Sequence, residues 1–183
     1  MRIVVSGTHA SGKSTLVSDL ALALRGHAQL PDPFELVDDD DAAGAASFVR
    51  QLVVAAERLV ALPAGCDVVA ERGPVDFLAY LAALADLGRR SAGPDLKDRL
   101  RGLTADAMAH VDLLVVIPLE SPDLIRVPDD EDPELRTAMD AHLLDLCGDD
   151  ELVGSVWQVL EVSGPPESRA AQVLTVVAEA GPG

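Results

Sequence analysis

Nine residues near the start of the chain, Gly7-Thr8-His9-Ala10-Ser11-Gly12-Lys13-Ser14-Thr15, restrict its fold more than any other stretch. Before them stands Ile3-Val4-Val5, an apolar β-branched run suited to a strand. After them Leu16, Val17, Leu20, Leu22, Ala23 and Leu24 recur at helical spacing. The order is strand, glycine-bearing turn, helix, and the turn has the Walker A spacing G-x-x-x-x-G-K-[ST]. Gly7 and Gly12 let the backbone turn without a Cβ in the way, so that successive N–H groups point inward at an anion. The helix starting near Lys13 adds its positive dipole end, and Lys13 adds a full charge. Such a loop holds the phosphates of a nucleoside triphosphate, with contacts from Gly7, Ala10, Ser11, Gly12, Lys13, Ser14 and Thr15. Ser14 offers a hydroxyl to Mg²⁺, and Thr15 reaches a more proximal phosphate. His9 either touches a phosphate or is an exposed loop residue.

Short apolar runs alternate with longer amphipathic segments along the rest of the chain, the pattern of a wound α/β sheet. It predicts strands over 2–6, weakly over 28–36, and over 67–70, 111–117 and 157–162. Helices are predicted over 13–25, 42–62, 75–87, 96–109, 133–147 and 167–180. Breaks fall at Pro31-Asp32-Pro33, Pro63-Ala64-Gly65, Ser91-Ala92-Gly93-Pro94 and Ser163-Gly164-Pro165-Pro166. Hydrophobic residues are 49% of the chain and aromatics only 3%, so the core must come mainly from Val, Leu and Ala. Such runs suit strands buried on both faces of a parallel sheet. With 183 residues, no repeat and no change of composition, the expectation is one domain over 1–183.

A net charge of −17 disfavours nucleic acid and anionic membranes as partners. No apolar stretch approaches a membrane span, the start is too short for a signal peptide, and Cys66 and Cys147 read as small buried thiols without a disulfide. These point to a cytoplasmic protein. Lys13 and Lys97 are the only lysines, and arginine, the better clamp for several phosphate oxygens, supplies the other cationic side chains. The chain contains no Asn, which removes the guanine-reading N-K-x-D motif. His27, His110 and His142 lack metal-ligand spacing. The runs Asp38-Asp39-Asp40-Asp41 and Asp129-Asp130-Glu131-Asp132 read as solvated faces or helix N-terminal charges.

Asp67-Val68-Val69-Ala70-Glu71-Arg72-Gly73 places an acid and a base at the carboxyl end of an apolar strand, where ligands sit in open parallel sheets. Glu71 could hold a magnesium-bound water while Arg72 contacts the donor γ-phosphate or the acceptor. The other reading is a structural ion pair at a strand end.

Glu71-Arg72-Gly73-Pro74-Val75-Asp76-Phe77-Leu78-Ala79-Tyr80 resembles the [D/E]-R-G-P-x-D segment of P-loop nucleoside and nucleotide kinases and the E-R-S segment of deoxynucleoside kinases. Leu124-Ile125-Arg126-Val127-Pro128, followed by Pro133-Glu134-Leu135-Arg136, resembles their arginine-bearing lid, here about 120–137. Val162-Ser163-Gly164-Pro165-Pro166-Glu167-Ser168-Arg169 resembles the loop such kinases place against adenine. Small bacterial ATP-binding proteins filed as AAA-type ATPases share this likeness. The resemblance implies a three-layer P-loop NTPase fold, a five-stranded parallel sheet flanked by helices.

It further implies that Lys13 and Arg72 hold the reacting phosphates, that Ser14 and Glu71 serve the metal, and that Gly164 and Arg169 lie at the adenine. Arg126 and Arg136 would close over the transferring group as fingers, or pair with the neighbouring acids on the surface. The family's E-P pair falls near Asp32-Pro33, which implies Asp32 as the acceptor's base. Glu35 or Asp38 could serve instead, and Pro31-Asp32-Pro33 also suits a plain turn. Asp76 lines the acceptor pocket or caps the following helix. The expected activity is ATP-dependent, Mg²⁺-assisted phosphoryl transfer to a small acceptor, a nucleoside or nucleotide. The alternative is a module that binds or hydrolyses ATP and acts through a protein partner. A homodimer through Ala-rich faces such as 78–87 is left open.

Overall fold

Alternation along β1 (Arg2–Ser6) sets the layering, because Ile3 and Val5 face one side of the sheet and Val4 the other, all with 0% exposure. The computed structural model describes residues 1–36, 44–119 and 132–181. In it β2 (Ala28–Leu30), β3 (Val68–Glu71), β4 (Leu113–Val116) and β5 (Gln158–Glu161) join β1 in one five-stranded sheet of order β2-β3-β1-β4-β5. Every pairing is parallel, with Val5 level with Glu71 and Ser6 level with Val116. The carboxyl ends of β1, β3 and β4 therefore reach the same edge.

Helices α1 (Lys13–Ala23) and α7 (Pro166–Ala180) cover one face, with Leu16, Val17, Leu20, Val173 and Val176 against Ile3, Val5, Val69, Leu113 and Val115. The other face carries α2 (Ala45–Val60), α3 (Pro74–Asp86), α4 (Pro94–Met108) and α5 (Pro133–Cys147) over Val4, Val68, Ala70, Leu114 and Val116. The predicted five-stranded parallel sheet and its flanking helices are thus present. The Ala-rich stretch read as a dimer face lies in α3, whose Leu78, Ala79, Tyr80, Leu81, Ala83 and Leu84 are buried within the chain.

Two boundaries differ for visible reasons. β2 stops at Leu30 because Pro31 and Pro33 have no N–H for a ladder, and Asp32 caps a 3-10 turn over Pro33–Glu35. A four-residue helix, α6 (Asp150–Val153), follows an Asp149 cap in a stretch where no element was expected. Asp132, at the end of the second acidic run, caps α5 by accepting from Glu134 and Leu135 N–H and pairs with Arg89. The first acidic run lies outside the described residues. Both cysteines are free thiols, and no described helix is long and apolar enough to cross a membrane.

Candidate active site

The loop after β1 needs its glycines. A Cβ on Gly7 would stand 2.6 Å from Ser11 Oγ and 2.9 Å from the Ile117 carbonyl oxygen. Gly12 enters α1 at φ 95°, and Ala10 adopts φ 50° between them. Asp76, with 0% exposure, pins this loop to α3. Its carboxylate accepts from Gly7 N–H (2.9 Å), Ser6 Oγ–H (2.6 Å) and Gly73 N–H (2.9 Å). Burial pushes the Asp76 pKa up, against the pull of Arg72 and these donors. Of the two readings of Asp76, helix cap and pocket lining, the structure supports the cap and adds the loop tie.

Lys13 is also buried, and its Nζ donates to the Thr8 carbonyl at 2.6 Å. Desolvation, then repulsion from Arg72, lowers its pKa to about 7. Ser14 Oγ donates to Glu71 Oε1 at 2.7 Å, so a hydroxyl and a carboxylate meet at the head of α1. Hard oxygen donors of this kind suit Mg²⁺. Among the described residues no three His, Cys, Asp or Glu side chains gather into a metal cage. Beside the loop lies a cavity of about 350 Å³ whose lining includes Lys13, Ser14, Thr15, Gly164 and Pro165. Arg169 closes its side, donating to the Gly164 and Ser11 carbonyls at 2.7 Å each.

Arg72 turns inward at the end of β3 with φ 63° and is 3% exposed. Its Nε donates to Asp32 Oδ2 at 2.7 Å and Nη1 to the Gly7 carbonyl at 3.0 Å, with Asp76 Oδ1 at 3.8 Å. The guanidinium lies 5.3 Å from the Phe34 ring centroid and 5.6 Å from that of Tyr80. Burial opposes its charge, but Tyr80, Asp32 and Asp76 outweigh burial and hold its pKa above the usual value. Asp32 does two things at once: Oδ1 caps the 3-10 turn through Phe34 N–H, and Oδ2 meets Arg72. Glu35 is exposed, and Asp38 lies outside the described residues.

Arg136 is 8% exposed, and its guanidinium donates to the His9 and Ala10 carbonyls at 2.9 and 3.2 Å. Arg126, like the rest of residues 120–131 where a lid was expected, lies outside the described residues. The exposed-residue reading of His9 is corrected. The ring is half-buried, its Nδ1 is 2.5 Å from Tyr80 Oη, and it packs edge-on against Phe34 at 4.9 Å. Burial, then Arg72, Lys13 and Arg136, lowers its pKa to about 3.

Sequence reasoning missed Phe34, Tyr80 and Gln51 as site residues. Phe48 and Tyr80 stack at 4.5 Å, and Phe34 meets Phe48 at 6.2 Å. Gln51 is 1% exposed; its Nε2 donates to Ser47 Oγ, while its buried Oε1 has no partner. Its signal was available: Gln51 stands among Phe48, Leu52 and Ala55 on the apolar stripe of α2, a polar group in a core position.

No protein-family model matches the chain, and no curated protein matches it in sequence. Solved structures match its backbone. Deoxyadenosine kinase from M. mycoides with bound dATP superposes with a TM-score of 0.72 at 11% identity, over 97% of this chain and 100% of that chain. The same enzyme with bound dCTP gives 0.74 at 12% identity, over 98% and 100%. Thymidylate kinase from Candida albicans gives 0.67 at 16% identity, over 97% and 91%. The five-stranded parallel sheet with its flanking helices is the P-loop kinase fold of these proteins.

Proposed function

We propose that this chain is an ATP-dependent, Mg²⁺-assisted kinase whose acceptor is a nucleoside or nucleotide. The observation that carries the reading is the Arg72–Asp32 pair, 2.7 Å apart, set directly beside the loop of Lys13 and the Ser14–Glu71 couple. A plain ATP-binding module has no need of a buried carboxylate–guanidinium pair at that point. The fold counterparts act on deoxyadenosine and thymidylate, which supports the acceptor class.

Phosphoryl transfer depends on positioning and charge neutralisation. In this reading the loop N–H groups and Lys13 hold the donor phosphates, with the adenine beside Gly164 and Arg169. Ser14 and Glu71 would hold magnesium, which would supply neutralisation of the phosphate charge when bound. Arg72 orients Asp32, and Asp32 takes the proton of the acceptor hydroxyl as its oxygen attacks the γ-phosphorus and ADP leaves. Such a base is worth about 10²–10⁴-fold. Arg136, at the foot of the lid over 120–137, and Arg126 would act as fingers, worth about 10³–10⁵ in rate where such groups have been tested. Gln51 Oε1, an unpartnered acceptor one turn along α2 from Phe48, suits the N–H edge of a nucleobase.

An ADP-release screen against nucleosides, nucleoside monophosphates and sugars tests this. Turnover with a nucleoside or nucleotide is expected, and a flat response across the panel overturns it. Lys13→Ala should abolish turnover while circular dichroism shows an intact fold; retained turnover refutes the role of the loop.

A further inference from the structure

The His9 ring is engaged at one nitrogen, and its partner determines which nitrogen carries the proton. Tyr80 Oη lies 2.5 Å from His9 Nδ1, 3.1 Å from the His9 backbone nitrogen and 3.4 Å from Thr8 Oγ1. The backbone N–H can only donate, so the phenol oxygen accepts there and keeps one proton to give. Nδ1 is by far its nearer acceptor. Donation from the phenol to Nδ1, its nearest acceptor, leaves the imidazole proton on Nε2. Among the described residues no hydrogen bond reaches His9 Nε2, and the residue as a whole is half-buried.

The ring lies on the side of the loop where Phe34 and Tyr80 flank Arg72. It packs against Phe34, whose 3-10 turn is capped by Asp32, and against Tyr80 at 5.5 Å. The cavity beside Gly164 and Arg169 is lined from Ala10 onward and does not include His9. We propose that His9, held as its Nε2–H tautomer by Tyr80, is a neutral hydrogen-bond donor to an oxygen of the phosphate acceptor. His9 is then a catalytic residue and Tyr80 the positioning residue that sets its tautomer. The identity of the ligand rests on the kinase reading; the tautomer does not.

The surroundings make neutrality useful. Lys13 on the loop, Arg72 after β3 and Arg136 on α5 crowd the ring, and with burial they lower its pKa to about 3. The nearby carboxylates are engaged elsewhere: Asp32 and Asp76 with Arg72 and backbone N–H groups, Glu71 with Ser14. A fourth cation there would lower the basicity of Asp32. A neutral N–H orients the acceptor oxygen without that effect.

Histidine ¹⁵N NMR on the full chain reads the tautomer directly, with His9→Gln assigning the signal. The wild type should show one Nε2–H tautomer that does not titrate between about pH 5 and 8. Tyr80→Phe should give mixed tautomers. An Nδ1–H tautomer, or protonation within that range, overturns the proposal. Addition of deoxyadenosine, deoxycytidine or thymidine monophosphate to the Mg-ADP complex should then move the Nε2 resonance. A response to Mg-ADP alone, or none to any acceptor, overturns the ligand assignment.

In turnover, His9→Leu should raise the acceptor KM about tenfold with the ATP KM changed less than about twofold, the loss expected of one hydrogen bond. His9→Gln, which keeps an N–H donor, should recover most of it. Equal rises in both KM values indicate a merely structural role and overturn the proposal. If the wild type transfers phosphate to nothing, the kinase reading fails, while the NMR arm still decides the tautomer.

Discussion

Asp76→Asn leaves the shape of the side chain almost unchanged but turns one of its two acceptor ends into a donor. In the native structure Oδ1 accepts from Gly7 N–H, and Oδ2 accepts from Gly73 N–H and Ser6 Oγ–H. Whichever way the amide is turned, its NH₂ meets a backbone N–H. Ser6 can rotate to become an acceptor, but the peptide groups cannot. One buried N–H loses its partner, at a cost of about 1–3 kcal/mol. Arg72, 3.8 Å from Oδ1, also loses one of its two carboxylates and keeps Asp32 at 2.7 Å. The expected total is about 3 kcal/mol, a large part of the roughly 5–15 kcal/mol that stabilises a domain. At about 2–4 °C per kcal/mol for this size, Tm should fall by about 6–12 °C. Burial raises the Asp76 pKa, so its folded-state charge is costly above that value and the cost is relieved as pH drops through it. The gap between wild type and variant should therefore widen as pH falls through the raised folded-state pKa of Asp76, because Asn cannot titrate. Urea unfolding followed by circular dichroism over a pH series measures this. A variant within about 1 °C of wild type at neutral pH would refute the three-donor account of Asp76.

Arg72→Lys offers one nitrogen where Nε and Nη1 now serve Asp32 and Gly7 separately, so kcat should fall by about 10²-fold or more with a smaller change in ATP Kd. An effect confined to ATP affinity would argue against a role in transfer. Gly7→Ala brings a Cβ to 2.9 Å from the Ile117 carbonyl, which is backbone and cannot swing aside. It should cost about 1–3 kcal/mol and weaken ATP binding by calorimetry; wild-type Tm and affinity together would contradict the geometry. Burial, aided by Asp76 and Glu161, pushes the Cys147 thiol up to about 12. At pH 8 only about 10⁻⁴ of it is thiolate, so mass spectrometry should find Cys147 unalkylated by iodoacetamide in the native protein and alkylated after unfolding.

The phosphate loop and the strands flanking it were legible in the amino-acid order because their demands are local. Gly12 at φ 95°, a lysine at the first turn of α1 and an apolar run before the turn are all set by neighbours in the chain. The end of β2 was legible only in part: a weak strand was expected over 28–36 with a break at Pro31-Asp32-Pro33, and the missing ladder donors of Pro31 and Pro33 stop it at Leu30. Glu71 and Arg72 could be placed at a strand end, and a strand end in a parallel sheet points to the ligand edge.

What could not be read locally was which polar groups meet. His9 and Tyr80 are 71 positions apart, and Asp32 and Arg72 are 40 apart. Asp32 suits a turn or a base, and Asp76 a cap or a pocket wall, as long as only their neighbours are considered. The parallel register that puts Glu71 level with Val5 brings these residues to one edge. Burial there removes the water that would otherwise satisfy each charge, so the charged groups find partners across the fold. Loop geometry and helix periodicity are written in short stretches of chain. The Asp76 tie, the Arg72–Asp32 pair and the His9–Tyr80 contact exist only once α3, the β2 turn and the loop are packed together.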